Sequence, residues 1–167
     1  QELIRLDLLP RQRSLAVWED PLHVRALFLA EAKVGIRRLA GGVAVASGDL
    51  SAARAVLAEA EVTAAEIGDD DLVNTVTEAR AGQSDREGNP ANAIDLWRGM
   101  LSGAKKQKEW PLLQRAYHQV GLLELSLGNH EGARTALKES LELAREIVDV
   151  NGVASTLHSL AVCHLQA

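Results

Sequence analysis

The chain has 167 residues, a net charge of −5 at neutral pH, 47% hydrophobic residues and only 3% aromatic ones. Ala and Leu supply 26 residues each; both are strong helix formers, whereas strands draw on β-branched and aromatic side chains. This balance excludes all-β, collagen-like and disordered chains, offers no basic footprint for nucleic acid, and contains no apolar run of membrane-spanning length.

One domain is the default at this length. The single cysteine, Cys163, rules out an internal disulfide and an all-cysteine zinc site, and fits a reducing, cytoplasmic setting. The start, Gln1-Glu2-Leu3-Ile4-Arg5, has neither an initiator Met nor the long apolar core of a signal peptide, so the expectation is a processed or excised piece of a longer chain. Leu3, Ile4, Leu6, Leu8 and Leu9, stopped by Pro10, predict a short helix. Asp20-Pro21 starts a second helix running from Leu22 to about Ala46, with Gly35 and Gly41-Gly42 as candidate bends. Residues 1–31 read as a degenerate repeat or an N-terminal cap.

Beyond this point the chain repeats. Gly48-Asp49, Gly88-Asn89 and Gly128-Asn129 are spaced by forty residues, and their flanks agree. Nine residues after each glycine stands Leu57, Trp97 or Leu137, and sixteen after stands Ala64, Ala104 or Ala144. Seven before stands Gly41, Ala81 or Gly121, all small. The glycine ends one helix in the left-handed conformation, and the Asp or Asn caps the next. Pro90 then occupies a first helical position, where its missing N–H costs nothing. Each following helix is amphipathic: Ala53, Val56, Leu57, Ala60, Ala64 and Ile67 keep helical spacing, as do Ala93, Leu96, Trp97, Met100, Leu101 and Ala104, then Ala133, Ala136, Leu137, Leu141, Ala144 and Ile147. Breaks fall at Gly68-Asp69-Asp70-Asp71, Glu109-Trp110-Pro111 and Asp149-Val150-Asn151-Gly152, with Asp71 and Pro111 suited to helix starts. The predicted units are 32–71, 72–111 and 112–151, followed by 152–167 as the first helix of a truncated fourth. Small residues at Gly121 and its equivalents let paired helices approach closely, so a larger side chain there would overpack the crossing. Helix pairs of this kind bury their stripes against one another in a solenoid.

The pattern resembles the tetratricopeptide repeat family: a bulky residue, Leu-Gly, a Gly-Asn/Asp turn, then Ala, a bulky residue and Ala. The third unit carries it best, with Tyr117, Val120-Gly121, Gly128-Asn129, Ala133 and Leu137, departing at Ser140, where Ala is usual. The first unit has Ala40-Gly41, Gly48-Asp49, Ala53, Leu57 and Ala60, with Arg37 at the bulky position. The second is weakest in its first helix, where Thr77 and Arg80 replace apolar residues. Against the common unit of 34 residues, forty looks like the long-unit subtype of kinesin light chains and bacterial signalling proteins. The resemblance covers about residues 32–167. It implies an all-α, right-handed superhelical solenoid of antiparallel helix pairs, with first helices lining a concave groove that binds a protein or peptide.

Candidate groove residues on the first helices are Arg38, Glu78, Gly82, Arg115, His118, Leu122, Ser155 and His158. His118 and His158 are forty apart and read either as a ligand-contacting, pH-sensitive column beside Arg115 or as packed histidines. Arg38 shares that column and suits an acidic partner or a solvated face. Arg80, Gln83, Ser84, Asp85, Arg86 and Glu87 make the first helix of the second unit unusually polar; this is either degeneracy or function, with Gly82 admitting a partner's backbone. The acidic stretch from Glu59 to Asp71 and the basic Lys105, Lys106 and Lys108 read as solubility. His158, Cys163 and His164 lack metal-ligand spacing, and the glycines of 35–42 lack the Gly-Lys-Ser/Thr of a phosphate loop. No nucleophile–base–acid motif occurs. The expectation is therefore no enzyme, cofactor or metal, no nucleic acid and no membrane. It is a peptide- or protein-binding scaffold, with the sensory half of a bacterial signalling or transcriptional regulator as the alternative. Leu157, Leu160, Ala161 and His164 on the last helix raise homodimerisation.

Overall fold

The computed structural model describes residues 50–166, together with Ala32 and Gly35. The chain divides into two units, Gln1–Gly35 and Ile36–Ala167, and the architecture below belongs to the second. The Gly48-Asp49 turn, Arg37, Arg38 and the capping segment lie outside the described residues.

Among the described residues the chain is all-helical, with no strand. Six helices follow in order: α1 Leu50–Ile67, α2 Asp70–Arg86, α3 Pro90–Gln107, α4 Trp110–Ser126, α5 His130–Glu146 and α6 Val150–Gln166. The third and fifth begin directly after the Asn89 and Asn129 caps read from sequence. Asp69, Asn89 and Asn129 each accept a hydrogen bond from the backbone N–H three residues on, satisfying one of the donors every helix start leaves free. Helix α2 starts at Asp70 and α4 at Trp110, one residue before the Asp71 and Pro111 read from sequence.

The turns are more regular than the sequence. Positive φ occurs at Gly68, Gly88, Lys108, Gly128 and Val148, every twenty residues. Four of these turns close the same way: the N–H of Asn89, Glu109, Asn129 and Asp149 donates to the carbonyl five residues back, at 2.8–2.9 Å. This is the left-handed helix ending that glycine favours. Lys108 and Val148 adopt it although they carry a Cβ, with φ of 60° and 59°. The forty-residue sequence period is thus built from two turns of one geometry.

Each helix packs on the next, and α4 also packs on α6. The main core joins Ala81, Ala93, Ile94, Trp97, Met100, Ala116, Val120, Leu123 and Ala136, from α2 to α5. Smaller clusters hold α1 to α2 through Ala60, Ala64, Leu72 and Val76, and α5 to α6 through Ala133, Leu137 and Cys163. Gly121 behaves as the small-residue column requires: an added Cβ would stand 2.6 Å from Leu137 Cγ. Apolar burial is the dominant stabilising term here, at about 25 cal/mol per Å², but polar groups stitch the third crossing. Gln114 Nε2 donates to Ser140 Oγ at 3.0 Å, Ser140 Oγ donates to the Gln114 carbonyl at 3.1 Å, and Ser140 meets Thr156 Oγ1 at 3.3 Å. All three residues are buried. The departure from Ala at Ser140 therefore links α4, α5 and α6.

Candidate functional site

The first helices of successive units, α2, α4 and α6, are tied to one another by side chains. Arg115 Nη2 on α4 donates to Glu78 Oε1 on α2 at 2.6 Å. His118 Nε2 on α4 lies 3.2 Å from Ser159 Oγ on α6. Asn74 Nδ2 on α2 reaches Glu109 Oε2, just before α4, at 3.4 Å. Helical spacing aligns these contacts, because residues three and four apart share one face. Glu78 and Arg115, and His118 with Ser155, are thereby brought together. Burial lowers the His118 pKa, while a hydrogen bond to the Ser155 backbone pulls the other way. Arg115, Ser155 and His158 are exposed, and Gly82 and Leu122 are half-buried. Gly82 has open space beside it, since a Cβ built there meets nothing within 4 Å. Arg38 lies outside the described residues.

Two clefts lie elsewhere, and none of the described candidates lines either one. The first, about 290 Å³, is lined by Arg54 and Leu57 of α1, Arg80, Gln83 and Ser84 of α2, Glu87 just after it, Asn89, and Asn92 and Leu96 of α3. It holds most of the polar run picked out in the second unit. Arg54 pairs with Glu87 at 2.6 Å and Arg80 pairs with Glu61. Hydrogen bonds from Arg54 first and Gln83 second hold the Glu87 carboxyl below its usual pKa. The second cleft, about 370 Å³, runs between α3 and α5 over α4, with Leu101, Tyr117, Val120 and Ala136 inside and Arg98, Glu131 and Glu139 among the residues around it.

Sequence reasoning missed three contributors. Ser159 holds His118 from a column whose earlier members are Leu39, Ala79 and Gln119, so no repeat signal marks it. Arg54 sits on a helix that reads as a plain apolar stripe. Glu124, 5% exposed, anchors a turn by accepting from Asn129 Nδ2 at 2.7 Å and Arg98 Nη2 at 2.5 Å; an acidic residue in an apolar helix flanked by leucines was its available signal. On α6, Leu157, Ala161 and His164 are exposed, but Leu160 is half-buried against the Cys163 cluster rather than presented to solvent. Among the described residues no group of His, Cys, Asp and Glu is placed to hold a metal, and no helix is long and apolar enough to cross a membrane. No protein-family model, curated protein or solved structure matches the chain.

Proposed function

We propose that the chain is a binding scaffold of tetratricopeptide type rather than an enzyme. In this reading its helix pairs stack in a right-handed superhelix that holds a peptide or protein segment along α2, α4 and α6. The observation that carries this reading is the alignment of those three helices by the Arg115–Glu78 and His118–Ser159 contacts, with Arg115, Ser155 and His158 left exposed along the row. A preformed row of polar side chains on rigid helices suits capture of an extended or helical peptide at low ordering cost. Arg115 supplies a carboxylate partner once released from Glu78, and His158 a hydrogen-bonding ring.

Selection from a displayed random-peptide library, followed by fluorescence anisotropy on the winners, tests the proposal. Arg115→Ala and His158→Ala, both at exposed positions, are expected to weaken a selected peptide by about fivefold or more each. Unchanged affinity in both variants would remove the row as the binding surface. A second reading, the effector-sensing half of a bacterial regulator, is supported by one observation, the polar cleft at the second unit.

A further inference from the structure

The forty-residue register sets the cleft beside its equivalents at the other crossings. Forty after Arg80 and Gln83 stand Val120 and Leu123, and forty further stand Leu160 and Cys163. Val120 and Leu123 are 4% and 6% exposed, packed with Ile94 and Trp97, which are themselves the equivalents of Arg54 and Leu57. Cys163 is fully buried, with Leu160 against it. The α3–α4–α5 crossing therefore fills this place with apolar side chains, and Leu160 and Cys163 keep it apolar on α6, while the α1–α2–α3 crossing opens a cleft of about 290 Å³ there. Arg54 varies within its column, giving way to Ile94 and returning as Arg134; Arg80 and Gln83 are the departures.

Drift alone would leave such polar residues turned to water. Instead Gln83 and Ser84 are 4% and 6% exposed, and the polar groups are ordered around the space. Asn92 Nδ2 donates to Ser84 Oγ at 2.8 Å, and Ser84 Oγ donates to the Asn89 carbonyl at 3.0 Å. Gln83 Nε2 donates to one Glu87 oxygen at 2.9 Å, and Arg54 donates to the other at 2.6 Å. Arg80 also lines the cleft and pairs with Glu61, which stands outside the lining, so both lining guanidiniums already hold a carboxylate and only Glu87 offers one from within. A ligand that exchanges with these pairs without leaving an uncompensated charge must itself bear both signs. Its carboxylate would take the planar donors of Arg80 or Arg54, and its ammonium would take Glu87. Leu57 and Leu96 border the space on its apolar side, and the volume lies at the small end of ligand sites.

We propose that the cleft between α1, α2 and α3 binds a metabolite-sized zwitterion of the free amino-acid type. The proposal rests on the effector-sensing reading and does not involve the first-helix row. Thermal melting of the full chain is measured with the common L-amino acids one at a time, and with analogues of any that act, lacking either the amino or the carboxyl group. At least one amino acid raises the melting temperature and its single-charge analogues do not. Glu87→Gln weakens that ligand by about tenfold or more in calorimetric titration. A double variant, Arg80→Val with Gln83→Leu, restores the apolar filling of the next crossing; it melts higher than the parent without ligand and no longer responds. A response to a single-charge analogue that the double variant abolishes overturns the zwitterion while leaving effector sensing in place. No response to any amino acid or analogue removes both, and an equal response in the double variant removes the site.

Discussion

Replacing Gly121 by alanine is predicted to destabilise the protein, and the same change at Gly103 to stabilise it. Both glycines lie inside helices, α4 and α3, where alanine is intrinsically favoured by about 0.8–1 kcal/mol. At Gly103 an added Cβ meets nothing within 4 Å, so that gain is expected nearly whole. At Gly121 the Cβ would stand 2.6 and 2.8 Å from two Leu137 side-chain carbons and 3.3 Å from the Ala133 carbonyl oxygen. Leu137 is fully buried and cannot swing into solvent, so α4 and α5 must separate or Leu137 must leave its rotamer. Overpacking of this kind costs about 1–3 kcal/mol, which outweighs the propensity gain and leaves a net loss of about 1 kcal/mol. The two variants should differ by about 2 kcal/mol, or about 4–8 °C in melting temperature for a chain of this size. Urea denaturation followed by far-ultraviolet circular dichroism measures both. The Leu137→Ala background should relieve the clash, making the coupling in the double-mutant cycle favourable by about 1 kcal/mol. A Gly121→Ala variant as stable as the parent, or more stable, would refute close packing at this crossing.

Val148 holds a left-handed conformation that suits glycine, as at its equivalent Gly68, and is 79% exposed. Val148→Gly is therefore expected to raise stability by about 0.5–1 kcal/mol in the same denaturation assay, the relieved strain exceeding glycine's entropy cost. Glu124→Ala removes a buried carboxylate held by Arg98 and Asn129; unfolding measurements should show a loss of about 1–3 kcal/mol, and an unchanged midpoint would mean the turn needs no anchor. For His118, burial lowers the folded pKa below the ordinary histidine value of 6.5, so the unfolded chain binds more protons between the two values. Its contribution is present above pH 6.5 and is lost as pH falls through the folded pKa. His118→Gln should flatten the decline of unfolding free energy on that acid side, and identical slopes in both proteins would contradict the assignment.

The sequence made the helices legible because each layer of signal agreed at Gly88-Asn89-Pro90 and Gly128-Asn129: a residue for the left-handed ending, a side chain for the cap, and an apolar stripe after it. The turns at Lys108 and Val148 carry no glycine, so their likeness to the others was hidden. There, closure by the backbone N–H five residues on prevails over side-chain preference. The period put Glu78 in the column of His118, but the pairing of Glu78 with Arg115 and the hold of Ser159 on His118 did not follow from it, since each joins two helices through residues that are not forty apart. The polar run at Arg80, Gln83 and Ser84 was visible as a break in the apolar pattern. Its shape was not, because the cleft is completed by Arg54 and Asn92 from helices on either side.

Where a peptide sits tests the first-helix surface most directly. Amide chemical-shift mapping by NMR, with a library-selected peptide titrated into the labelled protein, reads this without any substitution. The predicted result is a continuous track of shifted amides through Glu78, Gly82, Arg115, Leu122, Ser155 and His158, crossing α2, α4 and α6. Shifts gathered instead around Leu101, Tyr117, Thr135 and Glu139, which line the cleft between α3 and α5, would contradict the first-helix surface.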